Sequence, residues 1–311
     1  RPFEALEELL LLHVLALEVL VRGNQVHHAL NDRDRTIADW RERQGTDWVD
    51  QMLLGGMLKG AEYGYRLMFE LVDTHDTQVE RELRSTIASL QPDGVLLTPP
   101  HSENKTIIDL LEKAEITFAR IGSIQQAAGI AISMDEEGAA AMATEYLAAL
   151  GHRRIAFIAG SREYSLSSRR VKGWMGAMDR LGLAADDLLA EGDFSYESGV
   201  EASRALLDCI NPPTAIIASN DRMALAGLDV AAERGIGVPT DLSLVSFDNT
   251  PVVRFTRPAL TAVDQPVAET AALAMETIIR SLRGEDMPEQ PLIVQAGLVE
   301  RQSTAPPPNA V

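Results

Sequence analysis

A strand, helix, strand pattern between residues 214 and 251 constrains the fold more than any other part of the sequence. Two short apolar runs, 214–218 and 242–247, end abruptly in small polar side chains, as buried parallel strands do at the carboxyl edge of a sheet. The segment between them, 221–234, has apolar residues at helical spacing and ends at a stretch with two glycines and a proline. Ligands of open parallel sheets lie outside the carboxyl ends of the strands. We therefore expect Asn220 and Asp248 to face the same opening.

Alternating strands and helices of similar length continue on both sides of this unit. Such alternation predicts parallel sheets with helices on both faces, and two successive runs of it predict an α/β fold with two doubly wound parallel-sheet lobes. The other predicted strands are 67–72, 95–98, 117–121, 130–133, 154–159, 188–191, 260–264 and 292–299. The other predicted helices are 47–63, 78–90, 105–114, 137–150, 167–181, 196–207 and 267–282. Glycines at 56, 60 and 64 indicate close helix packing followed by a glycine cap.

Composition narrows the classes of function. A length of 311 residues suits two lobes of ordinary size. The formal charge of −18 disfavours non-specific binding to nucleic acid or to an anionic membrane. The single cysteine, Cys209, cannot form an internal disulfide, which fits a cytoplasmic protein. The histidines lack partners at metal-ligand spacing, and the sequence contains no phosphate loop or dinucleotide fingerprint, so we expect neither a metal nor a cofactor.

The two ends of the chain have less regular patterns. Residues 1–43 are an unassigned segment, in which the apolar stretch from Leu9 to Val21 predicts an amphipathic helix. Acidic residues precede this stretch, whereas a secretory signal has a basic start, and its length and charge do not suit a membrane span. Residues 303–311, with three consecutive prolines, predict a loose tail.

Several segments resemble the LacI/GalR family of bacterial transcription regulators. They include Gly151-His152 with the strand that follows, Ala218-Ser219-Asn220-Asp221, and Val245-Ser246-Phe247-Asp248. The full set is 60–65, 93–99, 148–160, 168–174, 191–194, 218–225, 238–248 and 261–266. The resemblance covers residues 46–302, and the order and spacing of the segments make it specific.

The resemblance implies two periplasmic-binding-protein-like lobes joined by crossing strands near Gly151, 260–265 and 284–292. The first lobe would comprise 44–151 and 265–284, and the second 152–264 and 285–302. Such a core is a homodimer that closes on a small sugar-like effector, and in an intact regulator the closure changes DNA affinity. Residues 1–43 contain no recognisable helix-turn-helix head, so operator binding would require a head outside this segment or in its place. The family's first strand is also missing or degraded.

Three residues match the family's ligand-binding positions: Arg170, Asn220 and Asp248. Asp248 offers two acceptor oxygens for neighbouring hydroxyls, Asn220 offers a donor and an acceptor, and Arg170 offers a rigid fork of donors. Each has an alternative role, because Asn220 is also a typical helix cap, Asp248 is also typical of a turn, and Arg170 can pair with a surface acid. Asn249 stands where a second acidic residue is common.

Further candidates are Phe194, Asp135 and Glu137. Phe194 matches a position that stacks on the ligand, and its alternative is a place in the core. Asp135 and Glu137 would contribute from the first lobe, although acids also favour the start of a helix.

Three functions fit these residues to different degrees. The first is the effector-sensing and dimerisation core of a LacI-type regulator, with repression as the expected action. The second is a solute-binding protein of a transport system, which has the same architecture. The third is an α/β enzyme with Asp248 and Glu137 as acid and base, which the absence of a nucleophile beside an oriented base disfavours. We therefore expect a sugar-like effector, a homodimer, no membrane partner and no enzymatic activity.

Overall fold

The alternating pattern of the sequence forms two sheets with flanking helices in the computed structural model, which describes residues 17–23, 48–71, 79–183 and 186–308. These residues fall into two units. The first contains 17–23, 52–71, 79–133 and 268–293, and the second contains 48–51, 134–183, 186–267 and 294–308. The α/β prediction is confirmed. What was predicted for residues 1–16, 24–47, 72–78 and 309–311 lies outside the described residues.

The first unit is built on a six-stranded sheet with the order β11-β5-β4-β3-β1-β2. Its strands are β1 (Leu17–Gly23), β2 (Tyr65–Leu71), β3 (Gly94–Leu97), β4 (Thr117–Ile121), β5 (Ile130–Met134) and β11 (Leu292–Val294). Its helices are α1 (Trp48–Glu62), α2 (Val79–Leu90), α3 (Lys105–Lys113) and α8 (Val267–Leu282). Leu83, Leu111 and Val95 are among the residues that form its core. A Cβ at Gly60 on α1 would lie 2.9 Å from the flexible end of Met275 and 3.3 Å from Tyr65 O, so the helix packs closely there, and Gly64 ends the helix region at φ +80°. The predicted close packing and glycine cap are confirmed.

Strand β1 corrects two predictions. The apolar stretch from Leu9 to Val21 was predicted to be helical, and the first strand to be missing, yet Leu17–Gly23 is a strand between β2 and β3. It runs antiparallel to both neighbours, so the first sheet is mixed, while β3, β4 and β5 are parallel as predicted. Short apolar runs have no decisive helix or strand period. Strand partners far along the chain decided the outcome here.

The second unit contains another six-stranded sheet, with the order β12-β10-β9-β8-β6-β7. Its strands are β6 (Ile155–Ile158), β7 (Leu189–Ala190), β8 (Ala215–Ala218), β9 (Ser243–Asp248), β10 (Thr261–Asp264) and β12 (Gly297–Val299). All are parallel except β12. Its helices are α4 (Glu136–Ala149), α5 (Ser165–Arg180), α6 (Tyr196–Leu207) and α7 (Asp221–Glu233). The predicted strand 292–299 is therefore two strands, one in each sheet.

Helix α4 belongs to the second unit. The prediction from the sequence puts this helix in the first lobe and the crossing after it, near Gly151. Its alanine face and Leu147 are buried in the same core as β6 and β8. The division in the structure lies between Ser133 and Met134. The other two divisions lie between Val267 and Ala268 and between Ile293 and Val294, close to the predicted crossings.

Part of the predicted tail is fixed to the second unit. Ser303 Oγ donates to Leu244 O at 2.6 Å and accepts from Thr261 N at 2.8 Å. His152 Nε2 lies 2.9 Å from Ala305 O, and burial lowers the pKa of His152. The loose-tail prediction is wrong for 303–305, because backbone groups beside β9 and β10 pair with this segment. No helix in the described part of the chain is long and apolar enough to cross a membrane.

Candidate functional site

Polar residues gather at the carboxyl edge of the second unit's sheet. Because β6, β8, β9 and β10 are parallel, their carboxyl ends meet at one edge. Asn220 follows β8, Asp248 ends β9, and Gln265 follows β10. In the register of the sheet Asp248 stands beside Asp264. This is the opening that the sequence predicts for Asn220 and Asp248.

Arg170 lies beneath this edge on the buried face of α5. Its side chain is 2% exposed, and Nε donates to Glu136 Oε2 at 2.7 Å. Nη1 donates to the Ser219 carbonyl oxygen, and the guanidinium stands 4.4 Å from the centroid of the Phe247 ring. Nη2 lies 3.4 Å from the Gln265 amide. Arg170 thus pairs with an acid, as its alternative role proposed, but the acid is buried rather than on the surface.

Glu136, the partner of Arg170, is not among the candidate residues predicted from the sequence. It is also 2% exposed, whereas its neighbours Asp135 and Glu137 reach solvent. The signal was present in the sequence, because position 136 shares a helical face with the buried Ala140 and Ala143. A buried charge needs a partner. The helical spacing alone does not choose Glu136 over Glu137, however, because Glu137 lies three residues before Ala140 on an overlapping face.

Asp248 lies in a tight turn at the end of β9. Asp248 has φ +87° and Asn249 has φ +60°, a conformation that residues with a Cβ rarely adopt. The Gln265 amide connects Asp248 to Trp48, which also lies in the second unit: its nitrogen donates to Asp248 Oδ1 at 2.8 Å, and its oxygen accepts from Trp48 Nε1 at 3.3 Å. Gln265 therefore lies between the predicted residues Asp248 and Arg170.

Asn249 and Thr250 hold this turn from two sides. Asn249 Nδ2 donates to Asp264 Oδ1 at 2.7 Å, and Arg301 Nη2 donates to Asn249 Oδ1. Thr250 donates through both its backbone nitrogen and its hydroxyl to Asp221 Oδ2, each at 2.7 Å. Burial raises the pKa of Asp221 to about 6, against the opposing effect of its hydrogen bonds to Thr250. Asn249, at the position of a second family acid, is buried and structural.

Asn220 has the capping role that the sequence offered as an alternative. Its Oδ1 accepts from Met223 N at 2.9 Å at the start of α7, and its Nδ2 donates to Phe194 O at 2.8 Å. Phe194, with φ +75°, lies against Gly160, where a Cβ would come within 2.0 Å of the ring. The Phe194 ring meets Tyr164 edge to face at 5.5 Å between centroids. Asn220 thus fixes Phe194 at the same sheet edge, and both remain partly exposed.

Asp135 and Glu137 make local contacts of their own. Asp135 Oδ1 accepts from Gly138 N at 2.9 Å and caps α4. Glu137 pairs with Lys172 at 2.8 Å on the surface. Both residues lie in the second unit, not in the first lobe as predicted. The structure links Arg170, Asp248, Asn220 and Phe194 through shared neighbours, and it does not add Asp135 or Glu137 to that set.

The arrangement suits recognition of a polar molecule. The edge offers a carboxylate at Asp248, amides at Asn220 and Gln265, and an aromatic ring at Phe194. Paired acceptors and donors beside an apolar face match a ligand with adjacent hydroxyls and C–H groups. In the described residues no group of three or more His, Cys, Asp or Glu side chains could hold a metal ion.

Comparisons with known proteins agree with this architecture. The periplasmic binding protein-like domain family matches residues 144–304. Catabolite control protein A of Priestia megaterium is 31% identical over 245 residues, which cover 78% of this chain and 73% of that protein. The transcriptional repressor CytR of Escherichia coli is 30% identical over 258 residues, covering 83% and 75%. A solved complex of the transcriptional regulator CelR with cellobiose has a TM-score of 0.73 and 29% identity, covering 82% of this chain and 79% of that one.

Proposed function

This chain belongs to the LacI/GalR family of transcriptional regulators, and we propose that it senses a small sugar-like effector at the carboxyl edge of the second unit's sheet. The observation that supports the site best is that Gln265 donates to Asp248 Oδ1 and lies beside the Arg170 guanidinium. Asp248 is partly exposed at the sheet edge and accepts a hydrogen bond from Gln265. Arg170 is buried next to Gln265, and Glu136 balances its charge. Ligand hydroxyls would meet Asp248 and Asn220, and Phe194 would cover an apolar face of the ring.

The wider function follows from family membership. We propose that the chain acts in the cytoplasm as a homodimer, that it does not catalyse a reaction, and that effector binding changes operator affinity. Operator binding would need a helix-turn-helix head beside or in place of residues 1–43. The relatives are transcriptional regulators, which favours this role over a transport protein of the same architecture. Light scattering should give the mass of a dimer, and a monomer at micromolar concentration would contradict this part of the proposal.

Ligand binding is tested with a panel of cellobiose, maltose, glucose, galactose and ribose. The complex of CelR with cellobiose gives the reason to include a β-linked disaccharide. A ligand at 100 times its dissociation constant should stabilise the folded chain by about 2.7 kcal/mol, which a thermal shift detects. Incubation with the same sugars should leave them unchanged by chromatography, whereas turnover would revive the enzyme alternative.

Two matched variants locate the site. Asp248→Ala should raise the calorimetric Kd of a panel sugar at least tenfold, because a hydrogen-bonding carboxylate contributes about 1.5–3 kcal/mol. Asp186→Ala removes an exposed acid before β7, at the opposite edge of the same sheet, and should leave Kd unchanged. If a sugar binds and Asp248→Ala binds it as tightly as the unmodified chain, the proposed site is wrong.

A further inference from the structure

Asp221 is a buried acid whose contacts are directed at the turn that carries Asp248. It is the first residue of α7 and is 3% exposed. One carboxylate oxygen, Oδ2, accepts both hydrogen bonds from Thr250, which is itself 3% exposed. The other oxygen, Oδ1, accepts no hydrogen bond of standard geometry among the described residues, although Ser246 and the Asn249 backbone lie close enough to lower the pKa of Asp221. A buried carboxylate with incomplete hydrogen bonding lowers the stability of the fold. Packing alone therefore does not explain why an aspartate occupies this position.

The turn needs such a contact because its backbone is unfavourable. Asp248 and Asn249 are consecutive residues at positive φ, a region that Asp and Asn tolerate better than other residues with a Cβ but that still costs backbone energy. Asn249 is held on one side by Asp264 and Arg301. Thr250, the next residue, is held on the other side by Asp221. The two sets of bonds therefore fix the direction in which the Asp248 side chain leaves β9.

We propose that Asp221 is a positioning residue for effector recognition, which acts through Thr250 to hold the Asp248 carboxylate in its binding orientation. The proposal rests on the function proposed above for Asp248. Asp221 is too buried to contact a ligand itself. Asn220, the helix cap that holds Phe194, directly precedes it. At the start of α7, Asn220 therefore holds Phe194, and Asp221 holds the turn that carries Asp248.

The proposal is tested with variants that remove or keep the Asp221 to Thr250 contact at similar side-chain volume. Thr250→Val removes the hydroxyl donor at nearly constant volume, while Thr250→Ser keeps it. Asp221→Leu removes the acceptor and replaces the buried charge with an apolar side chain of similar size. Thr144→Val is the matched control, because Thr144 is a fully buried threonine of the same unit whose hydroxyl donates within α4, to Ala140 O at 2.8 Å.

Two readouts are compared for each variant: deuterium uptake by the peptide that spans 246–252, and the calorimetric Kd of the panel sugar that binds the unmodified chain most tightly. Thr250→Val and Asp221→Leu should speed exchange in that peptide and raise Kd about tenfold, the size expected for one hydrogen bond to a charged group. Thr250→Ser should restore both values, and Thr144→Val should change neither.

The outcomes separate the two proposals. Unchanged exchange in Thr250→Val and Asp221→Leu would show that Asp221 does not hold the turn. Faster exchange with an unchanged Kd would show that the turn does not position Asp248 for binding. Either result overturns the inference. If no panel sugar binds the unmodified chain, the proposed function fails, and the exchange measurement still decides whether Asp221 holds the turn.

Discussion

Replacing Glu136 with alanine should lower the free energy of unfolding far more than replacing Glu145, another glutamate on α4 that also pairs with an arginine of α5. Two Arg–Glu pairs join α4 to α5, and both have a nitrogen to oxygen distance of 2.7 Å. In the Arg170–Glu136 pair each side chain is 2% exposed. In the Arg180–Glu145 pair the exposures are 59% and 50%. The two pairs therefore differ chiefly in burial.

The magnitude follows from what each substitution leaves behind. Glu136→Ala leaves the Arg170 guanidinium buried with the Ser219 carbonyl and the Phe247 ring but without a counter-charge, and loss of one partner of a buried pair costs about 3–5 kcal/mol. Glu145→Ala leaves Arg180 in water, and an exposed pair contributes about 0–1 kcal/mol. The expected difference in the free energy of unfolding is about 3 kcal/mol.

Urea unfolding measures this difference. Trp174, one turn after Arg170 and 1% exposed, provides a fluorescence signal within the same unit. At a slope of about 3 kcal/mol per molar urea, the Glu136→Ala midpoint should fall about 1 M below that of Glu145→Ala. The double variant Glu136→Leu with Arg170→Met should recover most of the loss, because apolar side chains can replace a buried pair. Equal urea midpoints for Glu136→Ala and Glu145→Ala would refute the reasoning that burial makes the loss of Glu136 more destabilising.

Three further predictions concern stability. Burial lowers the pKa of His152 in the folded chain below its ordinary 6.5, so as the pH falls the unfolded chain binds a proton at this histidine before the folded chain does. The free energy of unfolding should therefore decrease as the pH drops below about 6.5. His152→Gln should make the free energy of unfolding less dependent on pH in that range. Gly173→Ala should lower the free energy of unfolding by about 1–3 kcal/mol, because its Cβ would lie 2.0 Å from the Glu137 carbonyl oxygen. Gly176→Ala on the same helix should raise the free energy of unfolding by about 0.5–1 kcal/mol. Thermal unfolding measures both changes. Similar shifts for the two would contradict the close approach of α4 and α5. Leu20→Pro should speed amide exchange in β2 by removing a backbone donor from the strand between β2 and β3, and an unchanged rate would argue against that pairing.

The proposed effector site shows how much the sequence could predict. Asn220 and Asp248 were placed at one sheet edge from strand and helix periodicity alone, and the structure has them there. The roles of their side chains needed the folded chain. Capping of α7 by Asn220 involves a neighbour three residues away, but its bond to Phe194 spans 26 residues. Whether these side chains bind an effector stays a prediction.

The sequence by itself determined the α/β class, most elements of the second sheet and the edge at which its polar residues meet, because periodicity and strand ends are local properties of the chain. Only the tertiary structure decided which of three consecutive acids meets Arg170, that α4 joins the second unit, and that Leu17–Gly23 is a strand. Each of these depends on partners distant in sequence. A short apolar run or an acid at a helix start is compatible with several structures until such a partner buries it.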